Sequence, residues 1–505
     1  MKGKESLLEA IKNNKFEKVK KKLKKAINNK KINEKINEKD EKGWYPLLQA
    51  TYNNNTEIVQ LLNKYANKGS VILELNEKND EGQYPLLMAA NNNNMEIAQC
   101  LINYANSNHI VLKLNEKKKD GWYPLLGAVV NNNLEMVQLL MEYANKNNII
   151  LEMNEKNDLE FYPMLWATIN DNVEILQLLI DTADKNNIQL KINEKAKDGR
   201  SPLLAAIVNN NDKIVKILLE YASKNSISLD MNEKGKYFDY PLLGAIQHNN
   251  TKMVQLLTHY ADKNNIKLSL NEEDDHGNYL LLTALHRNNV DIVRSLMDYS
   301  NRHDIILKLN EQNEFEKYPM LMAVCNNNIE MVKLLIDYAS NHKILLNLNV
   351  ENMPLIISTE NNNIELVRLL MDYAEKNEVI LELNKKNYYG YYPLLLAIVN
   401  NNVEMVQLLI DYANRNNIIL TLKEKEIDYL KFFGKYIHGI SDIDHEIIQL
   451  LSLNSKEQKI KISFRKKESI LLTRFNEEKE KEKEKEEEKE EEKEEEEKEK
   501  EKEEK

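Results

Sequence analysis

Between Asp120 and Lys156 the chain reads DGWYPLLGAVVNNNLEMVQLLMEYANKNNIILEMNEK, and its apolar period changes twice. Leu125, Leu126, Ala128 and Val129 fall on one face of a short helix. Pro124 opens that helix, because its fixed φ and missing N–H are harmless at a first helical position. Asn131-Asn132-Asn133 closes it, since Asn tolerates the left-handed conformation that ends helices. Val137, Leu140 and Ala144 then recur at i, i+3 and i+7, with Glu135, Gln138 and Glu142 turned away, which predicts a second helix over about Leu134–Ala144. In the stretch after it Leu151 and Met153 alternate with Glu152 and Asn154, the period of a strand. Asp120-Gly121 is a turn signal. The predicted unit is helix, turn, helix, and a β-finger running back to the next Asp-Gly.

The same sentence fills most of the chain. The prolines of its Tyr-Pro-Leu-Leu core stand at Pro46, Pro85, Pro124, Pro163, Pro202 and Pro241, 39 residues apart. Leu280 takes the proline's place in the next copy, and Pro319 resumes the step. Pro354 comes four residues early and lacks the Asp-Gly turn, which predicts a truncated finger, and Pro393 restores the period. A repeat of this length marks a solenoid. Neither helix is long enough to persist alone in water, so each unit must bury its apolar face against its neighbours.

Asp-Gly-x-x-Pro-Leu-x-x-Ala, a polar loop and Glu-x-Val-x-Leu-Leu together resemble the ankyrin repeat, whose period is about 33 with a Thr-Pro-Leu-His-x-Ala core. The resemblance runs from about Leu7 to Leu451 and implies a mainly α fold. It implies an ankyrin-type α-solenoid of paired short helices with β-hairpin fingers, followed by a disordered or helical Glu/Lys tail. Three departures stand out. Tyr replaces Thr at Tyr45, Tyr84, Tyr123, Tyr162, Tyr240, Tyr318 and Tyr392, and only Ser201 keeps a capping hydroxyl. Leu replaces His at Leu48, Leu87 and Leu126. The six extra residues fall in the finger, around Asn147–Met153.

Residues 1–39 are expected to be a degenerate capping repeat, 40–422 the array of about ten repeats, 423–475 a divergent C-terminal cap with short strands at Lys459–Ser463 and Ser469–Thr473, and 476–505 a low-complexity tail. The first 39 residues hold 14 Lys and 5 Glu, whereas Glu477–Lys505 holds 19 Glu and 10 Lys with no apolar residue. The latter cannot supply a core. The chain thus has a basic start, an acidic end and a net charge of −11.

Little in the sequence speaks of chemistry. It shows no glycine-rich phosphate loop, no nucleophile motif and no His/Cys ligand spacing. Cys100 and Cys325 are too far apart in sequence to suggest a disulfide framework. The start carries no apolar leader and no run of about 18 apolar residues follows. The expectation is a non-catalytic, cofactor-free chain in the cytoplasm or nucleus. It would hold protein partners, neither membrane nor, given its negative charge, nucleic acid.

Candidate contact residues come from the column two before the proline, which varies where the rest conforms: Trp44, Gln83, Trp122, Phe161, Arg200, Asp239, Asn278, Lys317 and Tyr391. Trp, Tyr and Arg dominate interface hot spots. Ankyrin resemblance implies that finger positions on a concave face hold partners, which singles out Trp44, Trp122, Phe161, Arg200, Lys317 and Tyr391. Trp44, Trp122 and Phe161 could equally cover the helix below. The Tyr of each second helix, such as Tyr104 and Tyr143, recurs too regularly for recognition and is read as packing, its hydroxyl wet. Lys18–Lys25 could be a nuclear address, a polyanion contact or a solvated cap helix. Its charge could also meet another molecule's acidic tail, making a salt-sensitive self-associating spacer.

Overall fold

The structure, a computed structural model, describes residues 5–232, 234, 240–350, 353–423, 445–456 and 460–463. It divides into two compact units, Met1–Asp274 with Asp298–His303, and Asp275–Met297 with Asp304–Lys505. Ten helix pairs recur along the described chain, from Pro46–Tyr52 with Thr56–Gly69 to Pro393–Val399 with Val403–Arg415. The repeating helical pair expected from the period is therefore present throughout. A helix pair also stands before them, Leu7–Lys12 and Phe16–Asn28, its first helix opened by a Ser6/Glu9 capping box. A further short helix, Ile32–Lys35, stands where later repeats have a finger. The sequence pattern did not indicate it.

Within each unit, first helices pack on first helices and second on second. Leu48, Leu87 and Leu126, which replace the family's His, are completely buried. The Asn triplet between the helices explains why this chain is so rich in Asn. In the third repeat Asn131 follows the first helix and donates from Nδ2 to the Ala90 and Asn91 carbonyls of the preceding repeat, at 3.0 and 3.1 Å. Asn132 takes φ +55°, the left-handed turn. Asn133 caps the second helix by accepting from Met136 N–H at 2.9 Å and donates to Asn93 Oδ1 behind it. The pattern repeats at Asn170, Asn172 and Asn209 in the first unit and at Asn326, Asn328, Asn400 and Asn402 in the second.

Both tyrosine columns tie helices to fingers. The Tyr before proline makes no capping bond; Tyr123 instead donates its hydroxyl to the Glu155 carbonyl, in the finger that follows its own helix pair, at 3.0 Å. Tyr45, Tyr84 and Tyr162 do the same to Glu77, Glu116 and Glu194. Ser201, the exception, caps Leu204 N–H. The second-helix Tyr is packing, as expected, but its hydroxyl is not wet. Tyr143 donates to Ile110 O and accepts from Leu112 N–H, both in the preceding finger.

The fingers show the expected alternation, with Leu151 and Met153 buried and Ile150 63 % exposed. They differ from a β-hairpin in how their backbones are satisfied. Asn115 Nδ2 donates to Ile150 O at 2.7 Å, and Asn115 Oδ1 accepts from Glu152 N–H at 3.1 Å. The side-chain amide thus stands in for a neighbouring strand's peptide. Asn76, Asn154 and Asn193 do this in the first unit, Asn310, Asn349 and Asn384 in the second. Stacked helices sit about 8–10 Å apart, whereas strands pair at about 4.8 Å. Along its stem a finger spaced by its helices is too far from the next to form a ladder, and an Asn spans the difference. Among the described residues a strand forms only at the last finger: β1 (Leu420–Lys423) pairs in parallel with β2 (Ile460–Ser463), beyond the last helix pair.

The helix His445–Lys456 lies within the expected C-terminal cap. The expected strand Ser469–Thr473, the tail 476–505 and most of 423–475 lie outside the described residues. In the shortened repeat Met353 takes the place of Tyr before Pro354 and is buried with Ile356 and Leu396.

Candidate interaction surface

In the first unit five fingertips follow one another in register. Each is closed by a backbone bond spanning the turn: Asp40 N–H to Trp44 O at 2.9 Å, Asn79 to Gln83, Lys118 to Trp122, Asn157 to Phe161 and Ala196 to Arg200 at 3.0 Å each. Where the first residue is Asp40, Asn79 or Asn157, its side chain also accepts two turn N–H groups, as Asp40 Oδ1 does from Lys42 and Trp44. Gly43, Gly82, Gly121 and Gly199 take φ between +78° and +84°. One backbone bond then links each tip to the next: Asp80 N–H to Lys42 O, Lys119 to Glu81, Asp158 to Asp120 and Lys197 to Leu159, at 3.0–3.2 Å. Beneath them runs a row of ion pairs, Lys39–Glu77, Lys78–Glu116, Lys117–Glu155 and Lys156–Glu194. The lysine hydrogen bond is the main influence holding the Glu77, Glu116 and Glu194 carboxyls below the usual carboxylate range.

This brings Trp44, Gln83, Trp122, Phe161 and Arg200 into one row. Trp44 is half-buried and meets the exposed Tyr52 edge-on, ring centroids 4.9 Å apart. Trp122 is also half-buried. Phe161 is only 8 % exposed, so the covering alternative fits it and the ring does not present itself as a contact. It lies 4.9 Å from Trp166 on one side, and the Arg200 guanidinium sits 5.5 Å from its centroid on the other. Arg200 is further held by Asp198, with Nε 2.7 Å from Oδ2. Trp166 was missed at the sequence level. Its own column, Gln49, Met88, Gly127, Trp166, Ala205, Gly244, would have exposed it as the outlier. Its buried Nε1 has no hydrogen-bond partner among the described atoms.

In the second unit Lys317 is half-buried beside Cys325, whose thiol is pushed up chiefly by burial. Tyr391 packs against Met353, Ile356 and Leu396, which makes it a cover for that cluster. The aromatic rings that do reach out are Phe315, 62 % exposed at the tip before Lys317, and Tyr388 and Tyr389, 94 % and 78 % exposed, at the tip before Tyr391. A signal existed: Tyr388-Tyr389-Gly390 holds two aromatics where other tips have charged residues, such as Glu41-Lys42. Asp239 lies outside the described residues.

Among the described residues no three or more His, Cys, Asp and Glu side chains gather as metal ligands. No helix among them is long and apolar enough to cross a membrane. No curated protein matches the chain. The family model described as ankyrin repeats (3 copies) matches residues 69–150, 148–228, 242–344, 304–379 and 321–419. Helix pairs in register, fingers between them and a family match over more than half of its length agree: this chain belongs to the ankyrin-repeat family.

Proposed function

We propose that this chain is a non-catalytic scaffold that holds a protein partner along the fingertip row of its first unit. Ankyrin repeats are in general protein-interaction modules without catalysis of their own. One observation carries the finer reading: four tip-to-tip backbone bonds hold Trp44, Trp122 and Arg200 in a single row on rigid turns. Side chains on such turns lose little further freedom on binding, and an ordered surface spends less of its interaction energy on ordering. Trp44 with its edge-on Tyr52, Trp122, and Arg200 held over the buried Phe161 ring make three anchors along that row.

Binding partners recovered with the full chain, titrated against Trp44→Ala/Trp122→Ala, test this. Hot-spot side chains are worth about 2 kcal/mol or more each, roughly 30-fold in affinity. The double variant is expected to lose at least that much while its melting temperature stays put. Phe161→Ala, by contrast, should lower the melting temperature because its ring is buried. Equal partner affinity in wild type and the double variant would refute the assignment to this row.

A further inference from the structure

The cap helix Phe16–Asn28 turns Val19, Leu23 and Ala26 into the core and leaves Lys20, Lys21, Lys24 and Lys25 exposed. Lys20 with Lys24, and Lys21 with Lys25, are spaced i to i+4 and so share one helix face. The ion pairs of this region go elsewhere: Lys15 and Lys18 reach Glu5 at 2.9 and 3.4 Å. This helix sets one acid, Glu17, against six lysines, whereas other second helices are more evenly mixed. Leu134–Lys146 sets Glu135 and Glu142 against Lys146, and between neighbours Arg294 pairs with Glu330 and Lys333 with Glu365. An outward cap face needs polar groups, but nothing in capping needs so strong an excess of one sign. Like charges at i, i+4 repel, so four clustered lysines gain when an anion lies over them.

The chain supplies such an anion. Glu486–Glu488, Glu490–Glu492 and Glu494–Glu497 are runs of glutamate broken only by single lysines, in a segment with no apolar residue to bury it. Ten finger-bearing repeats separate this segment from the cap along the chain.

We propose that the lysine face formed by Lys20, Lys21, Lys24 and Lys25 docks the glutamate-rich segment Glu477–Lys505 of a second copy of this chain. The test mixes equal amounts of unlabelled and nitrogen-15-labelled full-length chain and couples lysine Nζ to carboxylates with a zero-length carbodiimide. At low ionic strength, mixed-isotope cross-links are expected between these four lysines and the glutamates of the tail. They should vanish near 1 M salt, where the screening length is about 3 Å. The full-length variant K20Q/K21Q/K24Q/K25Q should scatter light as a single chain at low salt and keep its melting temperature, while wild type scatters as a larger species. Several results would overturn the proposal: cross-links of one isotope only, tail cross-links spread evenly over lysines of other helices, or a wild type that is monomeric at low salt. Capture of single-stranded RNA at concentrations where no chain-to-chain cross-link forms would assign the face to nucleic acid and likewise end it.

Discussion

Tyr318 shows what a single hydroxyl does in this array. Tyr45, Tyr84, Tyr123, Tyr162, Tyr240 and Tyr279 each donate to a Glu carbonyl in the finger that follows, but the finger that follows Tyr318 is four residues short, and the Tyr318 hydroxyl is buried without a partner. A buried polar group left unpaired costs free energy, whereas a satisfied one contributes a net gain of about 1 kcal/mol. Tyr123→Phe should therefore destabilise by about 1 kcal/mol, and Tyr318→Phe should be neutral or stabilising. Chemical denaturation midpoints of the two variants decide it; equal losses at both positions would show the hydroxyl bond to be irrelevant. The sequence marked both tyrosine columns as packing positions. It did not reveal where their hydroxyls go, because the acceptors lie 32 residues ahead or 33 behind and meet the tyrosines only in the fold. Nor did it give the Asn triplet its full role. The left-handed middle residue was readable from Asn's backbone tolerance, but the amide bonds to the preceding repeat were not, since they depend on stacking register.

At the level of the element, the finger is where reading and structure part. Alternating apolar residues correctly divided Leu151 and Met153 from Glu152, yet alternation is blind to what lies at the chain's sides. Helix stacking sets the spacing between fingers, and at that spacing Asn115 does the work of a strand. The fingertip tests this close fit. Gly121 and Gly277 both take positive φ, +84° and +74°, but a Cβ on Gly121 would lie 2.6 Å from Asn157 Cα, while one on Gly277 would lie 3.3 Å from Asn313 Cα. Both Ala variants incur the left-handed penalty of about 1–2 kcal/mol. Gly121→Ala should cost clearly more, because backbone must move. A comparison of their melting temperatures measures the difference, and identical shifts would mean the tips are not in register. Of the candidate contacts, those chosen by residue type divided by environment. Trp44 and Trp122 stay half-open, while Phe161 and Tyr391 are packed beneath neighbours that only the fold reveals.

For the whole molecule, two groups of side chains set the pH limits. The carboxyls of Glu77, Glu116 and Glu194 lie below their ordinary value in the folded state, first because of their lysine hydrogen bonds. Their contribution is present above the ordinary carboxylate range and is lost as pH falls through the folded values. These pairs are solvent-exposed, so salt should shrink the acid-side loss. At the other limit, burial holds the Tyr45, Tyr84, Tyr123 and Tyr162 hydroxyls well above the ordinary tyrosine value of about 10. Stability from them is complete below that value and lost as pH rises beyond it. In an alkaline titration, the tyrosinate absorbance of these residues should rise together with loss of helicity; a rise completed while the helices remain would contradict their burial.

All of this rests on one property: each repeat is held by bonds to its neighbours at a fixed offset along the chain. Excising Asp120–Asp158 removes one whole period of 39 residues, and the Asn bonds and second-helix Tyr bonds re-form with the next repeat. Excising Asp120–Lys156 leaves two residues too many and breaks the offset at the join. Thermal melting followed by circular dichroism compares the two most directly. The account predicts that the whole-period deletion melts near the wild-type temperature as one transition, while the other loses helicity at the join and melts earlier. If the two deletions melted alike, the fixed-offset bonds would not be what holds the array together.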